Sequence, residues 1–366
     1  MASRPGSPDY IIFYSVLALL GLGIVMVYSA SAVSANVNFN DSYYFLKRQI
    51  IWAVLGLLAM IFTMNIDYHL WRKLAKPIIL ITIVLLILVL IPGMGKVVNG
   101  ARRWLGSGSL YIQPSEVAKL SMVLFTAYYL ANYQNKIQSF VKGVVPLLGM
   151  LAVIFGLILK EPDLGTALSI AGTVFVLLFI AGARVWHLGS LTAVGVVGII
   201  LAILAEPYRL KRLIAFNDPW ADPLDTGYHI IQSLYAIGSG GIFGVGLGRS
   251  REKFLYLPEP HTDFIFSILG EELGLIGTTT ILVLFFLFAW RGFKISMSAS
   301  DVYGSVLASG ITTMILVQAL MNIAVVTASM PVTGIPLPFL SFGGSALIFT
   351  MAGVGILLNI SKNVNS

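Results

Sequence analysis

The sequence contains no cysteine. Disulfides, thiolate chemistry and cysteine-ligated metals are therefore excluded, and cysteine usage says nothing of the redox compartment. Charge is almost as scarce. Only 11% of the 366 residues are Asp, Glu, Lys or Arg, against 57% hydrophobic. Ordinary globular domains carry roughly 25% charged residues, so a water-facing surface for a soluble chain of this size cannot be built. The mean hydropathy of +0.89 agrees. With four histidines, no H-E-x-x-H and no metal-ligand spacing, the sequence offers no metal motif. The glycine-rich stretch Gly238–Gly248 is not a dinucleotide fingerprint, because no βαβ pattern surrounds it.

What is present is a series of long apolar runs. A helix needs about 20 apolar residues to cross a bilayer, and ten runs qualify: 10–31, 47–64, 75–92, 114–132, 143–160, 164–182, 187–205, 264–290, 303–328 and 343–360. Alternating patterns of a membrane barrel are absent, so an all-α membrane protein with ten transmembrane helices is expected. The first run is longer than the apolar core of a signal peptide and reads as an uncleaved span. The net charge of +7 sits in short loops between runs. That pattern fits membrane topology and anionic lipid, not nucleic acid. Basic density places both termini in the cytoplasm. One long outer segment then remains, residues 206–262 between spans 7 and 8, with a second at 92–113. No internal boundary is evident, so 1–366 reads as a single polytopic domain.

Long ordered loops carry function, and the charged motifs lie at or near them. In Leu257-Pro258-Glu259-Pro260-His261-Thr262-Asp263-Phe264, two carboxylates and an imidazole fall within five residues. Asp263 reads either as the cap of the following helix or as a general base at the interface. Adjacent Arg102 and Arg103 with Trp104 suit a phosphate and a sugar face, or an ordinary aromatic belt. Glu116 and Lys119 share a helix face, as a structural ion pair or as the lining of a substrate cavity. Glu271 and Glu272, about 12 Å along the helix from Asp263, are proton-coupling sites or structural bonding groups. Lys160–Thr166 reads as a helix cap rather than a catalyst. Ser341, Gly343 and Gly344 open the last span, where small residues permit ligand approach or close helix packing.

In order, N-G-A-R-R-W, Q-P-S-E-V-A-K-L, E-P-D-L-G-T-A, L-P-E-P-H-T-D-F-I-F, G-E-E-L-G and P-F-L-S-F-G-G-S closely resemble the SEDS (shape, elongation, division and sporulation) family over essentially the whole chain. Met26–Val33 and the L-P-E-P-H-T-D run favour its FtsW branch. The resemblance implies a peptidoglycan glycosyltransferase of the cytoplasmic membrane. It would polymerise lipid II at the outer face for spore cortex or septal wall, beside a class B penicillin-binding protein. It implies Asp263 as the catalytic residue. Substrate contacts would come from Arg102, Arg103, Trp104, Glu116, Lys119, Glu259, His261, Ser341, Gly343 and Gly344. No cofactor is implied, apart from the option of a divalent cation, Mg or Mn, at the departing diphosphate; no metal ligands are assigned. Two other readings compete: a lipid II flippase, which needs a charged path through the bundle, and a non-enzymatic scaffold for the penicillin-binding protein.

Overall fold

The computed structural model describes residues 6–98, 100–107, 110–254 and 256–364. Asn99 of the N-G-A-R-R-W run and Leu255, just before the L-P-E-P-H-T-D run, lie outside the described residues. The ten apolar runs all fall on helices: α1 (Tyr10–Phe39), α2 (Tyr44–Met64), α3 (Tyr68–Leu90), α4 (Pro114–Asn132), α5 (Val145–Lys160), α6 (Leu164–Ile180), α7 (Val185–Leu204), α10 (Ile265–Ser298), α11 (Val302–Val326) and α12 (Gly344–Val364). Eight of these stretches are long and apolar enough to cross a membrane; α6 is apolar but only 17 residues long, and α4 carries Glu116 and Lys119. Helices are forced on such sequences because backbone groups in hydrocarbon must bond within their own segment.

α11 and α12 form the centre of the bundle, whereas α7 is almost wholly exposed. α12 packs along α2 at very short range. A Cβ added at Gly344 would lie 2.3 Å from the Trp52 ring, and Thr63 Oγ1 donates to the Ala352 carbonyl at 2.9 Å. Small residues let the two backbones meet this closely. Away from that contact, Asp9 caps α1 through the Ile11 and Ile12 amides and is paired with Arg291. This pairing explains why α10 runs on to Ser298, past the apolar run that ends at 290: its last turns have a partner at the start of the chain.

The segment between α3 and α4 departs from the all-α expectation. It folds as an antiparallel sheet in the order β1 (Gly95–Val98), β2 (Ala101–Ser107), β3 (Leu110–Ile112). Lys96 stands opposite Trp104, and Leu105 opposite Ile112. The long 206–262 segment also has structure of its own, with α8 (Pro207–Asn217) and α9 (Tyr228–Ser239).

α10 is not continuous. Gly274 has φ 64° and ψ −158°, outside helical geometry. A Cβ there would lie 2.4 Å from the Gly244 nitrogen, so only glycine fits. The loop after α9 enters the break. The Val245 and Gly246 amides donate to the Glu271 and Glu272 carbonyls, and the Leu275 and Ile276 amides donate to Gly241 and Ile242. The helix bonds lost at the break are thus replaced by loop backbone, the condition for irregular structure at membrane depth.

Candidate active site

Asp263 lies two residues before α10, in a segment reached by three neighbouring elements. The cap reading does not hold: the N-cap of α10 is Phe264, without a side-chain capping bond. The Asp263 side chain is half-buried. Its carbonyl accepts from Asn322 Nδ2 at 2.8 Å, while its carboxylate accepts no hydrogen bond among the described residues. A Cβ added to Gly334 would stand 3.6 Å from Asp263 Oδ2, so the backbone between α11 and α12 runs alongside the carboxylate. Burial, reinforced by the Glu259 charge, pushes the Asp263 carboxyl up to about 7; Arg212 and Arg103 oppose the rise. An unbonded carboxylate that exchanges its proton near neutrality is suited to general-base work.

The two arginines come from different elements. Arg103, on β2, donates from Nε to the Glu161 carbonyl at 2.9 Å and from Nη2 to the Pro162 carbonyl at 2.5 Å. Arg212, on α8, donates to the Val332 carbonyl at 3.1 Å. β2 has a bulge at Arg103, because Lys96 pairs with Trp104 and Val97 with Arg102, and Arg102 turns away from Arg103. Its guanidinium reaches the Leu90 carbonyl at the end of α3, 3.2 Å away. The adjacent arginines therefore do not form one clamp, and the second cation near Asp263 is Arg212. Half-buried Trp104 follows Arg103 on β2.

The turn that Arg103 grips joins α5 to α6. Asp163 caps α6 through the Thr166 amide at 3.0 Å, as the sequence suggested. Glu161 is different. It is 0% exposed, and neither carboxylate oxygen has a hydrogen-bond partner. Burial and the nearby Asp163 push its carboxyl up to about 9, with Arg103 opposing. Glu161 is thus a neutral carboxylic acid at pH 7.

Of the remaining proposed site residues, His261 packs its ring 4.1 Å from Phe45 and 5.8 Å from Phe342. Burial pushes the imidazole down to about 4, leaving it uncharged. Glu259 is exposed, with φ 49°, and its carboxylate touches Thr262 at 3.4 Å. Ser341 donates to the Thr262 carbonyl at 2.6 Å and accepts from the Leu337 amide at 2.8 Å, binding the end of the α11–α12 loop to the Asp263 segment. Gly344 is in contact with Trp52, whereas a Cβ at Gly343 would meet nothing nearer than Ala346 at 3.5 Å.

Glu116 and Lys119 are buried and paired with each other at 2.7 Å, inside the bundle. Glu271 and Glu272 are fully engaged. Ser250 Oγ and the Arg251 amide donate to Glu271 at 2.5 and 2.7 Å. Ser29 and Lys253 donate to Glu272 at 2.7 and 2.9 Å. Of the two readings the sequence left for these acids, structural bonding is the one observed.

Sequence reasoning missed Arg212, Asn322 and Glu161 as neighbours of the site. Glu161 stood in plain view inside E-P-D-L-G-T-A; nothing local distinguishes Arg212 from the other basic residues of its segment. The arrangement as a whole is a neutral-range base flanked by two guanidinium groups at the ends of apolar helices. It can take a proton beside a developing anion.

The sequence matches the cell cycle protein family FTSW_RODA_SPOVE over residues 10–366. The chain belongs to this family. Among curated relatives, stage V sporulation protein E of Bacillus subtilis (strain 168) is 51% identical over 99% of both chains. A probable peptidoglycan glycosyltransferase FtsW of Trichlorobacter lovleyi is 45% identical over 97% of this chain and 93% of that one. A chain of a solved peptidoglycan synthase complex, described as coordinating polymerization and crosslinking, superposes with a TM-score of 0.80 at 31% identity, covering 98% of each. The rod shape determining protein RodA of Thermus thermophilus gives a TM-score of 0.72 at 30% identity, again over 98% of each. Like the rest of the family, the chain is a multi-pass membrane protein.

Proposed function

We propose that this chain is a peptidoglycan glycosyltransferase that polymerises lipid II, the undecaprenyl-diphosphate-linked disaccharide pentapeptide, into glycan strands for spore cortex or septal wall. In this reading the polypeptide is one domain with ten spans. Both termini are cytoplasmic, and residues 206–262 face outward with Asp263. The observation that carries it is the Asp263 carboxylate: unbonded, beside the Gly334 backbone, and titrating near neutrality.

Asp263 takes the proton from the acceptor sugar's 4-hydroxyl. The freed oxygen forms a bond to the donor's anomeric carbon as the bond to undecaprenyl diphosphate breaks, with inversion. No protein nucleophile is needed, so the close carboxylate pair of retaining glycosidases is not required. Negative charge gathers on the departing diphosphate. Arg103 and Arg212 are the cations placed to stabilise it, instead of Arg102, which is bound to α3, or Lys119, which is buried against Glu116. Neutral His261 takes no part in proton transfer; it fixes the segment before Asp263 between Phe45 and Phe342. Among the described residues, no three His, Asp or Glu side chains gather where they could hold a metal ion. No step is routed through a metal ion. A class B penicillin-binding protein is the partner that would crosslink the product.

The test supplies labelled lipid II to wild type and Asp263→Ala, each with and without a class B partner, and resolves products on a gel. A ladder from wild type that disappears in the variant is expected. An unchanged ladder from the variant refutes the base assignment. Absence of any ladder, with lipid II crossing vesicle bilayers, would mean a flippase; neither activity, with partner binding intact, would mean a scaffold.

A further inference from the structure

Four buried polar side chains on two helices lead from α4 to the backbone at Asp263, with the 335–336 peptide linking Gln318 to Asn322. On α4, Glu116 and Lys119 are paired at 2.7 Å. Lys119 Nζ donates to Gln318 Oε1 on α11 at 2.6 Å. Gln318 Nε2 in turn donates to the Pro336 carbonyl at 2.8 Å. One turn along α11, on the same face, Asn322 Nδ2 donates to both the Ile335 carbonyl and the Asp263 carbonyl at 2.8 Å. All four side chains are at most 5% exposed. The two carbonyls held by α11, at 335 and 336, immediately follow Gly334, whose backbone stands beside the Asp263 carboxylate. The same loop is also held at Val332 by Arg212 and through Ser341 to Thr262.

An amide side chain has a distinguishable donor and acceptor end. Left alone, Gln318 could present either end to the Pro336 carbonyl, and one orientation would oppose two acceptors. Lys119 offers only donors, so it fixes the amide with its oxygen toward α4 and its NH2 toward the loop. Glu116 pairs with Lys119 and holds it in place, where an isolated ammonium would be costly. None of these groups borders the carboxylate itself; each acts through the next.

We propose that Gln318 and Asn322 are positioning residues that set Asp263 against the 334–336 backbone. The Glu116–Lys119 pair is the lock that orients Gln318, so the charged pair of α4 serves the reaction through α11 and not by touching substrate. The inference rests on Asp263 being the base of the proposed reaction.

The experiment uses the full chain with its class B partner, labelled lipid II, and initial rates over a range of lipid II concentrations and of pH. The variants are Gln318→Glu, Asn322→Asp and the paired Glu116→Gln/Lys119→Met. The first keeps a partner for Lys119 but removes the donor to Pro336. The second removes the shared donor at nearly constant volume. The third removes the lock without leaving a buried charge alone. Each is expected to lower kcat by about 10- to 100-fold, as for a small misplacement of a catalytic group, with KM within about twofold. The acid limb of the rate profile is expected to move, because the surroundings of Asp263 change. Three results overturn the proposal: a rise in KM at unchanged kcat for the α4 pair, which would mean substrate contact; unchanged kcat and KM in correctly folded Gln318→Glu and Asn322→Asp; or reduced kcat with an unshifted pH profile and a lowered melting point in all three, which would mean a structural role alone. Inactive wild type, or an active Asp263→Ala control, would refute the parent reading instead.

Discussion

Replacing Glu161 by glutamine should change how stability depends on pH. Glu161 has an ordinary carboxyl value of 4.5 when unfolded and about 9 in the folded protein. Between those values the folded state holds one proton that the unfolded state has released. Stability therefore falls as pH rises, by about 1.4 kcal/mol per pH unit. The loss reaches about 3 kcal/mol at pH 7 and about 6 kcal/mol at pH 9. Glutamine has nearly the same shape and does not titrate. Its unpaired amide adds a constant offset, but every other titrating group is common to both proteins and cancels in the difference. The assay is the thermal midpoint of wild type and Glu161→Gln, purified in one detergent, at intervals from pH 5 to pH 9. The variant curve is expected to gain on the wild type steadily with pH, by about 5–10 °C between pH 5 and pH 8. Parallel curves would refute the argument. Parallel curves are what an ionised Glu161 paired with Arg103 would give, because its titration would then lie below the range tested.

Further outcomes follow from the site. Polymerisation by wild type should fall about tenfold per pH unit below about 7 as Asp263 is protonated, with no second limb between pH 5 and 8 because His261 is pushed down to about 4; a rate independent of pH in that range would exclude Asp263 as base. Arg212→Gln removes a charge that opposes the Asp263 rise, so the acid limb should move to higher pH while the plateau drops about 10- to 100-fold, measured by the same initial rates. Gly344→Ala places a Cβ 2.3 Å from the Trp52 ring and should cost about 1–3 kcal/mol of stability, whereas Gly343→Ala, 3.5 Å from its nearest neighbour, should leave the melting point unchanged; equal melting points for the two variants would mean that the α2–α12 contact is looser than described.

The helices were readable because a bilayer demands long apolar runs, and such runs survive without any knowledge of packing. The sheet at 95–112 was not. Its strands are short and broken by Gly95, Gly100 and Gly106, and they lack the alternation that marks a buried face. That missed sheet also misled the reading of Arg102 and Arg103, since the bulge at Arg103 leaves the two neighbours reaching different helix ends. Asp263 was singled out, but capping and catalysis call for the same residue type at the same place, and the unbonded carboxylate is what argues against the cap. Glu161 was passed over inside a correctly read cap because burial is a tertiary property. Arg212 belongs to a helix whose position over the α5–α6 turn depends on Tyr208 reaching the Pro162 carbonyl, 3.4 Å away, a contact that spans 46 residues of chain.

The break at Gly274 gives α10 two independent rotational settings. In an unbroken helix every residue advances by about 100°, so the direction of one side chain fixes all the others. Before the break, residues Ile265 to Glu272 are buried on every side; beyond it, Gly277, Ile281, Phe285, Phe288 and Gly292 form a single buried stripe. The half next to Asp263 can therefore be turned to suit the Asp263 segment, while the other half is turned to suit lipid on one side and the Asp9 contact at its far end. Changes in length within one half need not rotate the other, so the Asp263 end and the Asp9 end of this helix are free to diverge separately.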